Sequence, residues 1–191
     1  MSARLRLIRH GRAVSASAGG DEDSGLSLIG VKEALAVPAL FVGDRPERLL
    51  VSPLRRTRET ALPLVAAFGL EREIEPAYGE LPWRDGQTVI ARAEELKREL
   101  AGSWKELDAA RRSWREKLIR KALSETGDIA IVTHFVAINV LVGLAMDDDR
   151  IVVTRPANAS LTEIAVEGAR LRIVRLGAHD EALFAARTSG T

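Results

Sequence analysis

The stretch RLRLIRHG (residues 4–11) alternates basic and apolar side chains and then stops at His10-Gly11. Alternation of this kind reads as a strand over residues 4–9, which delivers an imidazole at its C-terminal end. Two later apolar runs end in a similar way. ERLLV (47–51) reads as a short buried strand and leads into Ser52-Pro53-Leu54-Arg55-Arg56. DIAIVT (128–133) is the near-continuous apolar pattern of a strand buried on both faces, and His134 follows it. In open α/β sheets, ligands bind beyond the carboxyl ends of the strands. Three such strands would bring His10, Ser52 with Arg56, and His134 to one place.

The intervening segments supply helices. Residues 12–25 are small, polar and glycine-rich and read as a loop. Ser27 has the character of an N-cap, with Leu26 and Val31 spaced as a hydrophobic staple; the helix it starts is expected to reach about Phe41, bent by Pro38. Ser52 as N-cap and Pro53 at the first helical position predict a second helix. Residues 72–78 read as an extended edge segment and 79–87 as a loop. Helical stretches at about 88–101 and 104–123 are separated by Gly102, with Ser103 and Glu106 spaced as a capping box for the second. An apolar helix over 135–145 and a hairpin of 159–166 and 170–176, turning at Glu167-Gly168, complete the chain. The order predicts an α/β fold: a three-layer α/β/α sandwich with a mostly parallel central sheet. The expectation is a single domain over 1–191 with a helical, cap-like segment at about 84–125.

Composition narrows the function. The 191 residues carry 28 Lys and Arg against 27 Asp and Glu, a net charge of +1. That balance argues against a nucleic-acid partner, which calls for a clear basic excess, so any cationic function must be local. The chain has no cysteine, which rules out disulfides, thiolate catalysis and thiolate metal sites. Arg4, Arg6 and Arg9 interrupt the first apolar run, unlike a signal peptide. No apolar stretch approaches the roughly 18 residues of a membrane span. The expectation is a cytoplasmic protein with no membrane partner; the sequence says little about oligomeric state.

The convergent residues suit phosphoryl chemistry. A neutral imidazole can attack phosphorus and hold the phosphoryl group covalently. Neighbouring cations disfavour its protonation, and Arg9 and Arg56 would be those cations as well as forked ligands for phosphoryl oxygens. His134 would add charge or a hydrogen bond, and the start of the helix after Ser52 would add backbone donors. Gly11 would let the backbone turn sharply beside the nucleophile. A carboxylic acid is needed to protonate the leaving oxygen and then to activate water; Glu80 is the best placed, with Asp85 and Glu75 behind it. No metal or cofactor is called for. Trp83, beside Glu80, is a candidate for the substrate pocket or for packing, Trp104 and Trp114 for a helix–helix core, and the run Arg111-Arg112-Ser113-Trp114-Arg115 for a solvated face or, second, an anion-attracting rim over the site. His179 reads as a surface residue.

Taken in order, Arg9-His10-Gly11, Ser52-Pro53-Leu54-Arg55-Arg56 with Thr60-Ala61, and a strand ending in His134 resemble the histidine phosphatase superfamily, a group with a phosphoglycerate mutase-like fold. Leu26-Ser27 with Gly30 is similar to the family's Leu-Thr-x-x-Gly helix start, and Asn158 through Ile164 to its Asn-x-Ser-x-Thr-x-Ile strand. The resemblance implies that His10 is the phosphorylated nucleophile, that Arg9, Arg56 and His134 complete the phosphate pocket, and that Glu80 is the proton donor. Gly11, Ser52, Phe135 and Trp83 are the expected substrate-contacting positions.

The chain departs from the family pattern at Arg12 and Ala13, where many members read Glu-Thr, at Ala16, where an Asn would fall, and at Phe135, where Gly is usual. These changes weigh against phosphoglycerate mutase activity. An Arg-His-Gly-x-Ala pattern with a non-Gly residue after the second His looks more like the phosphohistidine phosphatase branch, whereas the helical segment 88–123 argues the other way, since that branch is compact and lacks a large cap. The resulting expectation is a metal-independent phosphatase acting on phosphomonoesters of small molecules. Alternatives are a phosphohistidine-protein phosphatase, then a phosphoglycerate mutase, or a non-catalytic phosphate-binding regulatory module.

Overall fold

A computed structural model describes residues 2–14, 23–82, 84 and 86–180. Its centre is a six-stranded sheet built from β1 (Ser2–Arg9), β2 (Arg48–Val51), β3 (Arg72–Ile74), β4 (Gly127–Thr133), β5 (Leu161–Glu167) and β6 (Arg170–Arg175). The spatial order is β3-β2-β4-β1-β5-β6. The pairs β3/β2, β2/β4 and β4/β1 are parallel, and β1/β5 and β5/β6 are antiparallel. The sheet is therefore mostly parallel, with an antiparallel hairpin at one edge. Gly168 supplies the left-handed residue of that hairpin's turn, at φ 64°.

Helices cover both faces. α1 (Leu28–Ala36) and α2 (Arg55–Phe68) lie on one side; α4 (Ala109–Ser124) and α5 (Phe135–Met146) lie on the other, with α3 (Val89–Glu99) leading into α4. Strand alternation divides the core accordingly. Leu5 and Leu7, Leu50, and Ile129 and Ile131 pack with Leu118, Val140 and Leu141. Their neighbours Ile8, Leu49, Val51, Ala130 and Val132 pack with Val37, Phe41, Ala61 and Leu64. This two-sided burial is why β4 is apolar without alternation. Arg6, in the middle of β1, points to the α1/α2 side and is buried, its guanidinium 2.5 Å from Asp128 and over the Phe41 ring.

Local signals were met with four adjustments. Ser27 caps α1 by accepting from Gly30 N–H, but α1 ends at Ala36 rather than near Phe41, because Pro38 sits at the start of a 3-10 turn over Val37–Leu40. α2 begins later than the Ser52-Pro53 pair predicts: Leu54 is its N-cap and Arg55 its first residue. Glu106 does accept from Ser103 N–H at 2.8 Å, but the pair closes a 3-10 turn, Trp104–Glu106; α4 is capped instead by Asp108, which accepts from Arg111 N–H. The edge segment 72–78 is extended only over β3 and ends in a 3-10 turn, Pro76–Tyr78.

Candidate active site

Register decides which side chains meet. Arg9 of β1 is paired with Thr133 of β4, and Val51 of β2 with Val132. The next residue of each strand still bonds its neighbour: His10 N–H donates to the Thr133 carbonyl at 3.0 Å, and Ser52 N–H to that of Val132 at 3.0 Å. His10, His134 and Ser52 therefore leave three adjacent parallel strands at the same level. The two imidazole centroids are 5.2 Å apart, their planes at 61°.

His10 is partly buried, and its Nδ1 lies 2.7 Å from the Gly11 carbonyl. Only a protonated nitrogen can donate to that oxygen, so the contact fixes Nδ1–H and leaves the Nε2 lone pair free. Burial, reinforced by the cations of Arg56 and then Arg9, pushes the His10 pKa down to about 3. The imidazole is neutral at any ordinary working pH.

His134 is fully buried as the N-cap of α5. Its Nε2 is 2.7 Å from Ser52 Oγ, and its Nδ1 faces Glu80 Oε2 at 3.7 Å with no hydrogen-bond partner among the described residues. Burial first, then His10, Arg56 and Arg9, hold its pKa well below the ordinary value. Ser52 is wholly buried, and its hydroxyl is turned to His134 rather than to the first turn of α2. The donors at that helix start are partly taken as well, because Arg55 N–H donates to the Asp23 carboxylate.

The two arginines enter from different elements. Arg9 donates from Nη1 to the Pro156 carbonyl at 2.8 Å, and its guanidinium lies 5.2 Å over the Phe135 ring. Phe135 thus acts as a platform for a cation, a geometry stabilising by about 0.5–2 kcal/mol. Arg56, in the first turn of α2, is close enough to bias the protonation of His10, His134 and Glu80 alike.

Glu80 lies just after the 3-10 turn, with its carboxylate 3.0 Å from Leu81 N–H. Burial raises its pKa, against the pull of that bond and of Arg56, Arg92 and Arg9. Glu75 instead caps the turn through Ala77 N–H and faces Lys121, away from this cluster. Trp83 and Asp85 lie outside the described residues, as does Ala16.

Gly11 does not provide a left-handed turn. Its backbone passes so close to α1 that a Cβ would lie 2.6 Å from the Gly30 carbonyl oxygen, and a Cβ on Gly30 would lie 2.1 Å from that of Arg12. The two glycines let the chain after His10 press against α1, and Gly11 N–H donates to Thr60 of α2 at 3.0 Å.

Two arginines escape a local reading. Arg111 is buried, not part of a solvated face, because Glu99 and Glu95 of α3 meet it at 3.1 and 3.4 Å. Arg92 is buried beside them and donates to the Leu81 carbonyl at 3.0 Å. A pair of buried arginines separated by 19 residues leaves no local signal; acidic residues at i, i+4 on the facing helix, Glu95 and Glu99, were the available hint. Trp104 and Trp114 do stack, their centroids 6.0 Å apart, in the core beside α4. His179 is exposed, near Thr154.

An α/β sandwich with two imidazoles and two arginines beyond the carboxyl ends of its parallel strands is a phosphate-handling architecture. The profile of the histidine phosphatase superfamily (branch 1) matches residues 5–179, and the chain belongs to that superfamily. Solved structures share the fold. A mycobacterial glucosyl-3-phosphoglycerate phosphatase superposes with a TM-score of 0.68 at 21% identity, over 93% of this chain and 100% of that one. A phosphoserine phosphatase of Entamoeba histolytica, solved in complex with 3-phosphoglyceric acid, gives 0.71 at 21% identity, over 93% and 98%. No curated protein matches the sequence. None of the described helices is long and apolar enough to cross a membrane.

Proposed function

We propose that the protein hydrolyses phosphomonoesters of small metabolites through a covalent phosphohistidine on His10, without a metal. The observation that carries this reading is the fixed tautomer of His10: Nδ1 is committed to Gly11, so Nε2 is the nucleophile, with a second neutral imidazole 5.2 Å away.

In the first half-reaction, His10 Nε2 forms a bond to phosphorus as the ester P–O bond breaks. Arg9 and Arg56 offer forked donors to the phosphoryl oxygens, where the charge of the transferring group is spread. With Ser52 Oγ donating to His134 Nε2, the Nδ1–H of His134 is free to donate to one of these oxygens. The leaving oxygen takes a proton from Glu80, whose burial keeps the acid form available. In the second half-reaction the Glu80 carboxylate takes a proton from water, the water oxygen bonds to phosphorus, and the P–N bond breaks to return neutral His10 and free phosphate. The arginines supply the positive charge that a metal supplies elsewhere.

Small substrates are favoured over a phosphohistidine-protein because α3 and α4, the proposed cap, reach the two residues that follow Glu80 through Arg92 and Arg111. The relatives named above are phosphatases of small phosphorylated molecules, which supports the same class. The test is phosphate release from p-nitrophenyl phosphate and a panel of phosphorylated metabolites in the presence of EDTA. Turnover undiminished by the chelator is expected. Absence of release from every ester would overturn the reading.

A further inference from the structure

We infer that Arg92 and Arg111 are positioning residues for the proton donor: two buried guanidiniums, one from each cap helix, clamp the two consecutive carbonyls that follow Glu80. The inference rests on the reading of Glu80 given above.

Arg92 Nη2 donates to the Leu81 carbonyl at 3.0 Å, and Arg111 Nη1 donates to the Pro82 carbonyl. On the other side of Glu80, Thr133 Oγ1, one residue before His134, donates to the Tyr78 carbonyl at 2.7 Å. Glu80 is thus bracketed by three held carbonyls, and its carboxylate is tied to Leu81 N–H. Leu81 and Tyr78 are themselves fully buried. The segment is a loop, yet its backbone is fixed on both sides of Glu80, whose carboxylate faces His134.

The arginines are anchored from behind. Glu99 Oε1 is 3.1 Å from Arg111 Nε, and Glu99 Oε2 is 3.6 Å from Arg92 Nη1, so one carboxylate of α3 serves both. Burying such ion pairs carries a desolvation cost that well-packed apolar residues would avoid. What apolar residues could not supply is two donors aimed at successive carbonyls. Arg92 also places a positive charge near Glu80, which opposes the effect of burial on that carboxylate. A proton donor must reach the leaving oxygen within hydrogen-bond distance, and a misplacement of about 1 Å can cost on the order of 10²-fold.

The test exploits leaving groups. Departure of an alkoxide needs a proton donor, whereas p-nitrophenolate leaves without one. The ratio of kcat/KM for the best alkyl phosphate to that for p-nitrophenyl phosphate therefore reports the donor, and within one preparation it does not depend on the fraction folded. Glu80→Gln is expected to lower the ratio by about 100-fold, the lower end of general acid catalysis, and Arg92→Met and Arg111→Met each by about tenfold, as a partial misplacement of the donor would. A lowered ratio in Glu80→Gln with unchanged ratios in both arginine variants would overturn the clamp alone. An unchanged ratio in Glu80→Gln would overturn the assignment of the donor on which the clamp depends.

Discussion

The imidazole of His10 meets that of His134 edge to face, 5.2 Å between centroids, because Arg9 and Thr133 are partners in parallel strands and each histidine is the next residue along. Neither ring reached the other by loop geometry. Sheet register placed them, and neighbouring burial and arginines keep both neutral.

Replacing His134 separates its role from that of the nucleophile. In the proposed mechanism His134 donates to the phosphoryl group, so His134→Ala is expected to lower kcat by about 10²–10³, the usual effect of losing one preorganised donor. Steady-state kinetics check this, and affinity for vanadate should weaken in parallel. A variant with unchanged kcat would leave His134 a packing residue.

Glu80→Gln is expected to lower kcat/KM for alkyl phosphates by about 10²-fold or more and to raise thermal stability at pH 7. The folded pKa of Glu80 is raised above its ordinary value, so its contribution to stability is lost as pH rises through that folded value. An uncharged isostere escapes that loss. Thermal melts of the two proteins at pH 7 and at pH 4 measure it; the gap between them should shrink at the lower pH.

Phe135 stands where the family usually has Gly, and its ring supports the Arg9 guanidinium. Phe135→Ala should raise KM by about 2- to 30-fold, corresponding to a cation–π contribution of roughly 0.5–2 kcal/mol, with a smaller change in kcat. Initial-rate measurements over a range of substrate concentrations give both constants.

Acid should destabilise the protein partly through His10. Its folded pKa is about 3 against 6.5 for the unperturbed side chain. Between these values the unfolded chain binds a proton that the folded protein does not, so stability falls as pH drops from 6.5 towards 3. One such group contributes a slope of up to about 1.4 kcal/mol per pH unit. Urea melts from pH 7 to pH 4 should show a shallower decline for His10→Asn than for the unaltered protein.

Much of this could be read along the chain because it is local or periodic. The buried β4, the apolar α5, the hairpin at Gly168 and the residues at three strand ends follow from patterning that a sheet enforces. What misled was chemistry supplied from elsewhere. Ser52-Pro53 has the composition of a helix start, but the serine hydroxyl faces His134, and the chain continues for two residues before α2 begins. Arg111 belongs to a strongly basic run and looks solvated, yet its countercharges sit on α3. Gly11 suggests a turn, whereas its role is the close approach of two backbones, visible only once α1 is in place.

Trapping the phosphorylated intermediate would decide whether His10 is the nucleophile. The protein would be mixed with radiolabelled substrate, quenched in alkali, digested, and the labelled peptide identified. The label is expected to survive alkali, to be lost in acid as a phosphoramidate should be, to map to His10, and to be missing from His10→Ala. Hydrolysis that proceeds undiminished in His10→Ala, or a label on a different residue, would contradict that role.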